Sequence, residues 1–305
     1  MRSTSPCRWA LAITLALTAA GLHAASAQAT LVTANVTYSG DATFKIATDP
    51  GVANDISVSM YDGRFVVTDV NDPVYAIGYG CERWWWEHSV RCGPSHHYPR
   101  IDVELGDGDD RFEMSPALMT KTWVQGGAGD DTIRGGDADD MLQGGSGRDV
   151  LSGQGGFDSL NGGPGPRDDA TETDAGDILS GGLGRDQADF DHYRTKITVR
   201  LDDWADDGAS GEDDNVRSDV EQVRGTVWDD TLVGNEHANV LYGGYGNDSL
   251  VGRDGLDHLA AGAGADRLDS RDSDGRADAV VDCGDGVDTA APDARDPLWS
   301  CEYRR

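Results

Sequence analysis

The sequence predicts an all-β fold, a parallel β-roll or β-helix solenoid of stacked coils. From residue 126 the chain repeats every nine residues, each unit carries one large apolar residue near its end, and glycines crowd the positions before it. One apolar residue in nine is too few for a unit to close its own core, and the spacing is not that of a helix. Glycine-rich turns and short strands, stacked coil on coil, would bury a continuous row of apolar side chains.

The chain begins with the pattern of a cleaved secretory signal peptide, assigned to residues 1–29. Arg2 and Arg8 precede or flank the start of an apolar stretch, residues 9–20, and small residues follow up to Ala29. This stretch is shorter than the about 20 apolar residues of a membrane anchor. We expect the protein to be secreted to the extracellular space, with no membrane insertion.

The chain is strongly acidic, with a formal net charge of −30 at pH 7. Such a charge repels nucleic acid and anionic membranes, so we expect no nucleic-acid partner. A solvated acidic surface of the halophile type is the alternative interpretation. The aspartates recur at fixed positions, however, and this regularity favours a role as ligands.

Residues 30–125 are predicted to form an N-terminal β cap that is continuous with the roll. Residues 56–60 and 65–67 alternate as the two strands of a hairpin. Further on, the segment 106–112, GDGDDRF, has the composition of one degenerate turn with Asp110 in the place of the repeated aspartate. An independent domain of some 90 residues is the alternative.

The cysteines predict two disulfides. Four remain after the predicted cleavage, and an even number in an exported chain favours pairing. Of the three possible pairings we prefer the two local ones, Cys81 with Cys92 and Cys283 with Cys301, because the residues between the pairs form a separate rod. Zinc binding is the alternative, although neither pair has the CxxC spacing.

The loop between Cys81 and Cys92 carries a run of tryptophans, Trp84, Trp85 and Trp86. Exposed aromatic rings stack on sugars or on partner surfaces, so this loop is the candidate for a cell-wall or glycan ligand. The alternative is that the tryptophans pack over the end of the apolar row. The nearby histidines, His88, His96 and His97, are interpreted as ordinary loop residues rather than as a metal site.

The repeats form two blocks, 126–189 and 225–269, in which the sixth residue of nearly every unit is aspartate and the eighth is apolar. The first block reads GGAGDDTIR, GGDADDMLQ, GGSGRDVLS and GQGGFDSLN, then a unit interrupted by an insertion at 164–173, and GGLGRDQAD. The second reads GTVWDDTLV, GNEHANVLY, GGYGNDSLV, GRDGLDHLA and AGAGADRLD. A connecting insertion, 190–224, contains an alternating strand and an acidic loop, and 270–305 is the predicted C-terminal cap.

These units match the pattern G-G-x-G-x-D-x-U-x, and the chain therefore resembles RTX, or hemolysin-type, calcium-binding repeat proteins of the secreted bacterial, actinobacterium-like type. The resemblance implies several Ca²⁺ ions, each held between stacked turns by sixth-position aspartates and by turn carbonyls. The carboxylate ligands it implies are Asp131, Asp140, Asp149, Asp158, Asp177, Asp186, Asp230, Asp248, Asp257 and Asp266. The glycines it places at the metal are Gly126, Gly135, Gly144, Gly243 and Gly252.

Some units depart from this pattern, and the departures rank the sites. Asn239 offers an oxygen without a charge, Trp228 and His237 replace the fourth-position glycine, and Ala188 replaces the large apolar residue. Sites that involve these units are expected to be weak or absent. The strongest sites are expected within residues 126–160 and 243–268. The tail resembles the closing cap of secreted RTX proteins, with the Cys283–Cys301 disulfide holding the last coil.

The sequence contains no HExxH, GxSxG, GxGxxG or phosphate-loop motif, so we expect no enzymatic activity. The predicted function is that of a secreted, monomeric structural or surface module that folds on binding extracellular calcium. A calcium-dependent adhesin that uses the loop at Trp84–Trp86 is the first alternative. The second is an enzyme or toxin fragment with an unrecognised catalytic site in residues 30–125.

Overall fold

The computed structural model describes residues 29–36, 42–78, 80–84, 88–163, 175–273 and 275–304. Within these ranges the chain is nearly all strand, and it contains no α-helix and one 3-10 helix, Ser95–His97. The prediction of an all-β parallel roll is confirmed. No helix of the described ranges is long and apolar enough to cross a membrane. The predicted signal peptide lies outside them, apart from its last residue.

The strands are numbered in chain order. The N-terminal segment contains β1 (Thr30–Val36), β2 (Ala42–Ala47), β3 (Asp55–Tyr61), β4 (Arg64–Asp69), β5 (Val74–Gly78), β6 (Glu82–Arg83), β7 (Ser89–Cys92), β8 (Arg100–Asp107), β9 (Arg111–Met114) and β10 (Lys121–Ala128). The first block and the insertion contain β11 (Thr132–Arg134), β12 (Met141–Ser146), β13 (Val150–Gly156), β14 (Ser159–Asn161), β15 (Ile178–Gly184), β16 (Gln187–Asp189), β17 (Ile197–Arg200), β18 (Gly208–Ala209), β19 (Asn215–Val216) and β20 (Gln222–Arg224). The remainder contains β21 (Thr231–Val233), β22 (Val240–Tyr245), β23 (Ser249–Val251), β24 (His258–Gly264), β25 (Arg267–Ser270), β26 (Val280–Asp282), β27 (Asp285–Gly286), β28 (Thr289–Pro292), β29 (Leu298–Trp299) and β30 (Tyr303–Arg304).

Two nine-residue repeats make one coil, because successive repeats place their strands in different sheets. Val124 pairs with Leu142 in one sheet, and Ile133 pairs with Leu151 in another, both in parallel register. The eighth-position side chains therefore stack inside the roll. They are fully buried from Ile133 to Leu268, and Ala188 occupies its place in the row at 0% exposure.

Three sheets build the roll. The first has 14 strands and runs through both blocks in the order β5-β1-β2-β8-β10-β12-β14-β16-β20-β22-β24-β26-β29, with β27 beside β24. The second closes the first block in the order β6-β7-β4-β3-β9-β11-β13-β15-β19. The third closes the second block in the order β18-β17-β21-β23-β25-β28-β30. The two repeat blocks are thus parts of one solenoid.

The connecting insertion supplies strands to all three sheets. Strands β18 and β17 lie at the start of the third sheet, β19 ends the second, and β20 carries the first from one block to the next. Strands β17 and β18 pair antiparallel, with Ile197 opposite Ala209. A chain reversal within the insertion therefore replaces the second sheet by the third without interrupting the first.

The N-terminal cap is mainly antiparallel, with β1 and β5 paired in parallel, and it has an aromatic core. Strands β3 and β4 form the predicted hairpin, and its two-residue turn, Asp62-Gly63, has positive φ at both residues, as a tight hairpin requires. The ring of Phe44 lies 5.1 Å from that of Phe65 and 5.3 Å from that of Tyr98. Strands β2 and β3 pair in parallel with β8 and β9, so the cap continues into the coils.

Both predicted disulfides are present. Cys81 is bonded to Cys92 in the N-terminal cap, and Cys283 is bonded to Cys301 near the C-terminus. The second bond links the coil after β26 to the last coil of the roll. It therefore closes the end of the solenoid.

Candidate calcium-binding sites

The sixth-position aspartates connect successive coils through one of their two oxygens. The backbone N–H of Asp131 donates to Oδ1 of Asp149 at 2.8 Å, and that of Asp140 donates to Oδ1 of Asp158 at 2.8 Å. In the second block the N–H of Asp248 donates to Oδ1 of Asp266 at 2.7 Å. Each such aspartate therefore receives a hydrogen bond from the coil before it and holds its carboxylate against that coil.

The aspartates lie in three rows along the roll, one at each junction between sheets. The first row contains Asp110, Asp131, Asp149, Asp177 and Asp214. The second contains Asp140, Asp158, Asp186 and Glu221, followed by Asn239, Asp257, Asp278 and Asp296. The third contains Asp230, Asp248, Asp266, Asp288 and Glu302.

The second carboxylate oxygen of many of these residues is buried and accepts no hydrogen bond within the described residues. This holds for Oδ2 of Asp110, Asp131, Asp158, Asp186, Asp248, Asp257, Asp266, Asp278 and Asp288. A buried carboxylate oxygen without a partner costs free energy, and native proteins pair nearly all such atoms. The same Oδ2 atom lacks a hydrogen-bond partner repeatedly along all three rows, and this repetition indicates that the rows bind cations.

The turns that carry these residues fall into two kinds. In an open turn the second and fourth residues both have positive φ, as Gly127 and Gly129 do at 118° and 127°. A Cβ on Gly129 would lie 2.2 Å from the carbonyl oxygen of Gly108 in the adjoining coil, so glycine is required there. The open turns are 105–110, 126–131, 144–149, 153–158, 181–186, 243–248, 252–257, 261–266 and 283–288.

In a closed turn the fourth residue is not glycine, and the sixth residue is hydrogen-bonded within its own turn. Oδ2 of Asp140 accepts the N–H of Gly136 at 2.7 Å while its Oδ1 accepts the N–H of Thr122 at 2.6 Å. Asp230 likewise accepts from Thr226 and Ile197. The closed turns are 135–140, 225–230 and 234–239, with Ala138, Trp228 and His237 at the fourth position.

Oxygens of two coils converge beside the first residue of open and closed turns alike. The open turns fit calcium because the converging carboxylate oxygen, such as Oδ2 of Asp131, accepts no hydrogen bond within the described residues, whereas Oδ2 of Asp140 accepts the N–H of Gly136. A Cβ built on Gly126 would lie 2.2 Å from Oδ2 of Asp131 and 2.4 Å from the carbonyl oxygen of Gly144. At Gly243 the corresponding distances are 2.4 Å to Asp248 and 2.5 Å to the carbonyl of Ala261. Carboxylate and carbonyl oxygens are the ligands that Ca²⁺ takes in proteins.

Burial raises the pKa values of the row aspartates. The pKa of Asp131 rises to about 8 because its carboxylate is removed from water; the N–H of Asp110 lowers the pKa, and the charges of Asp149 and Asp110 raise it. The pKa of Asp257 also rises to about 8, again mainly through burial. The same cause raises the pKa of Asp158 and Asp248 to about 7. A cation in the row would oppose this effect by stabilising the ionised form.

The rows extend beyond the repeats that the sequence revealed. Asp288 ends an open turn whose first residue is Cys283, so the glycines at positions two and four were the signal that could have identified it. Asp214, Glu221 and Asp278 stand in non-repeat segments, and only their backbone hydrogen bonds place them in the rows. No sequence pattern marks these three positions.

The tryptophan loop is only partly within the described residues. Trp84 is half-buried, its ring lies 4.1 Å from the guanidinium of Arg91, and the ring of Tyr61 lies 5.0 Å away. These contacts favour packing on the N-terminal cap for Trp84. Trp85 and Trp86 lie outside the described residues, so a ligand role for the loop stays a prediction.

A family model described as the RTX calcium-binding nonapeptide repeat matches the chain in four copies. The matched residues are 122–151, 143–165, 225–259 and 233–268. The matches fall on both predicted blocks and include open and closed turns alike. A search of curated proteins gives no match to the chain.

Proposed function

Because this chain is an RTX-repeat protein, whose repeats bind Ca²⁺, we propose that it is a secreted structural or surface module that folds when extracellular calcium fills the open turns. The repeats themselves are calcium-binding and structural rather than catalytic. The observation that carries the proposal is the row of buried, unpaired Oδ2 atoms at the open turns. Calcium would supply each of them with the missing partner.

The ions are assigned to places where two open turns are neighbours in one row. These pairs are 105–110 with 126–131, 126–131 with 144–149, 153–158 with 181–186, 243–248 with 261–266, and 261–266 with 283–288. In each pair the proposed ligands are the sixth-position carboxylates and the first-position carbonyls of both turns, the kinds of oxygen that Ca²⁺ takes in proteins. Asp177 follows the insertion at residues 164–173 and extends the first row by one further carboxylate.

Asp140, Asp230 and Asn239 are not assigned to calcium. The two oxygens of Asp140 and those of Asp230 already accept backbone hydrogen bonds, and Asn239 accepts the N–H of Asn235 at 2.8 Å. The role proposed for them is structural, because each caps its own turn from within the roll. The proposal thus reduces the set of ligands expected from the sequence.

Calcium binding is proposed to be coupled to folding. Without a cation, folding of the roll would bring buried carboxylates into rows with few apolar side chains to compensate, and the glycine-rich turns lose much conformational entropy. With calcium, the free energy of binding becomes free energy of folding. Secretion through the predicted signal peptide would expose the chain to calcium only after export. In the extracellular space the folded chain would act as a monomer.

The contacts of Trp84 with Arg91 and Tyr61 support a structural cap rather than a ligand loop. No contact among the described residues therefore supports an adhesin that uses Trp84–Trp86. The same holds for a catalytic site in residues 30–125. Both remain predictions from the sequence.

The test is a calcium titration of the chain that begins at Thr30, followed by far-UV circular dichroism and by native mass spectrometry. We expect mostly coil in chelator, a gain of β signal on calcium addition, and several bound ions. Two variants with the same charge change separate the two kinds of turn. Asp131→Asn, in an open turn, should weaken or remove a bound ion, whereas Asp140→Asn, in a closed turn, should keep the number of ions.

An unchanged spectrum on calcium addition would contradict coupled folding. Equal loss of ions in the two variants would contradict the assignment to open turns while leaving calcium binding itself intact. Asp140→Asn is expected to lower stability by about 1–3 kcal/mol, because the side-chain amide would face the N–H of Gly136. This loss would be visible in the melting temperature and not in the stoichiometry.

A further inference from the structure

A third carboxylate joins the second row where the repeats give way to the C-terminal cap. One oxygen each of Asp257, Asp272 and Asp278 lie within 4.8 Å of one another. Asp257 and Asp278 are consecutive members of the row, and Asp272 belongs to the segment between them. This segment is longer than in the regular coils, since the row hydrogen bond spans 21 residues instead of 18.

Two of these side chains are buried, and each has one carboxylate oxygen that accepts no hydrogen bond within the described residues. Asp257 is 0% exposed, and its Oδ1 accepts the N–H of Asn239 at 2.8 Å. Asp278 is 4% exposed, and its Oδ1 accepts the N–H of Asp257 at 3.0 Å. Oδ2 of each accepts no hydrogen bond within the described residues. These two atoms indicate a ligand independently of the acidic composition of the cluster.

The regular open turns also place a carbonyl oxygen of the next coil closer to their first residue than the turn of Asp257 does. At Gly126 and Gly243 the carbonyl oxygen of the next coil lies 2.4–2.5 Å from the Cβ position. At Gly252 the three nearest atoms all belong to Asp257, the closest being Oδ2 at 2.5 Å. The next coil has Ser270 instead of glycine at this place, and Ser270 donates its hydroxyl to Asp296 at 2.8 Å. The carboxylate of Asp272 therefore adds an oxygen beside a turn in which the carbonyl of the next coil is farther from the first residue.

We propose that Asp257, Asp272 and Asp278 form a three-carboxylate calcium site that joins the second repeat block to the C-terminal cap. This proposal rests on the proposed function, because it requires that the row aspartates bind calcium. The site also uses Asp272, which lies outside the repeat. Three carboxylates carry one more negative charge than a pair of row aspartates. Because ligand charge tunes calcium affinity, this site fills at a lower calcium concentration than the sites with two carboxylates.

Asp272 is the residue that distinguishes this site, and Asp285 is its matched control. Both are third residues of their turns, in 270–278 and 283–288, and Asp285 is exposed and belongs to the other row of turns. Asp272→Asn and Asp285→Asn change the charge equally. Asp272 is only half-buried, so its amide is accommodated more easily than one at Asp257 or Asp278.

The experiment is native mass spectrometry of the chain from Thr30 at limiting CaCl₂, with the wild type and the two variants. We expect the first ion to be retained by the wild type and by Asp285→Asn, and its affinity to fall on the order of tenfold or more in Asp272→Asn. Equal affinities in the two variants would overturn the three-carboxylate site even if the other ions still bind. Absence of calcium binding in the wild type would overturn the proposed function as well.

A second measurement on the wild type does not depend on the folding of a variant. Carbodiimide labelling of carboxylates at limiting CaCl₂ should leave Asp285 reactive and protect Asp272 before the aspartates of the two-carboxylate sites. If Asp272 remains as reactive as Asp285 when the first ion is bound, the proposal is wrong.

Discussion

The N-terminal cap and the roll are both β structure, but different interactions hold them together. The cap packs Phe44, Phe65 and Tyr98 in one aromatic cluster and adds the Cys81–Cys92 disulfide. The roll contributes one apolar side chain from each nine-residue unit and buries rows of carboxylates beside it. The cap can therefore be stabilised by its own core, whereas the roll needs a partner for its buried charges.

Chelation of calcium should have the largest effect on the difference between the cap and the roll. In excess EDTA the amides of the roll, such as those of Leu142 and Leu250, should lose protection from hydrogen exchange, while those of Val58 and Val67 in the cap stay protected. The reason is that only the roll loses a bound cation. Hydrogen exchange followed by mass spectrometry measures both regions in one sample, with calcium-saturated protein as the control. Simultaneous loss of protection would show that cap and roll unfold as one unit.

The dependence on pH should also separate the two regions, because burial raises the pKa values of row aspartates. For five of them the raised pKa lies between about 6 and about 8: Asp110, Asp131, Asp158, Asp186 and Asp257. The folded, calcium-free roll then holds protons that the unfolded chain has released. Its stability relative to the unfolded chain is greatest near pH 4 and is lost as the pH rises through about 8. Calcium requires the ionised form, so calcium affinity should rise over the same interval.

The measurement is a pair of titrations between pH 5 and pH 8. In EDTA the amide protection of the roll should be higher at pH 5, and in calcium the affinity should be lower at pH 5, by about tenfold per pH unit for each proton that an ion displaces. The cap amides serve as the internal control, since the cap core contains Phe44 and Phe65 rather than row aspartates. A calcium affinity independent of pH would contradict the buried, protonated state.

Core truncations give the next largest effect. Leu250→Ala in the roll and Phe65→Ala in the cap each remove a fully buried side chain, and each should cost about 2–5 kcal/mol in calcium. In EDTA at pH 8 the roll is already unfolded, so under these conditions only Phe65→Ala should still lower the melting temperature of the remaining structure. Calorimetry with and without calcium checks this. An effect of Leu250→Ala in EDTA would mean that the roll keeps its core without the cation.

The sequence predicted the roll, its apolar row and both disulfides because each depends on a local and repeated signal. It also predicts Asp131 and Asp248 as calcium ligands, and the glycines of the same pattern give both turns their open conformation. It placed Asp140 among the strongest sites as well, because its unit lies within residues 126–160, and Ala138 stands at the fourth position of that unit. The structure shows that this one side chain coincides with a closed turn. Asp272 could not be predicted, since its position follows from the longer coil and not from any spacing.

The distinction between open and closed turns gives the smallest predicted effect, at Asn239. By charge alone, Asn239→Asp should create a calcium ligand next to Asp257 in the second row. We expect no additional ion, because the turn is closed: residue 239 accepts the N–H of Asn235, and His237 holds the place of the fourth-position glycine. The triple variant Asn235→Gly, His237→Gly, Asn239→Asp should gain one ion, because glycines permit the positive φ angles of an open turn. Native mass spectrometry counts the ions, and a gain in the single variant would show that charge rather than turn geometry selects the sites.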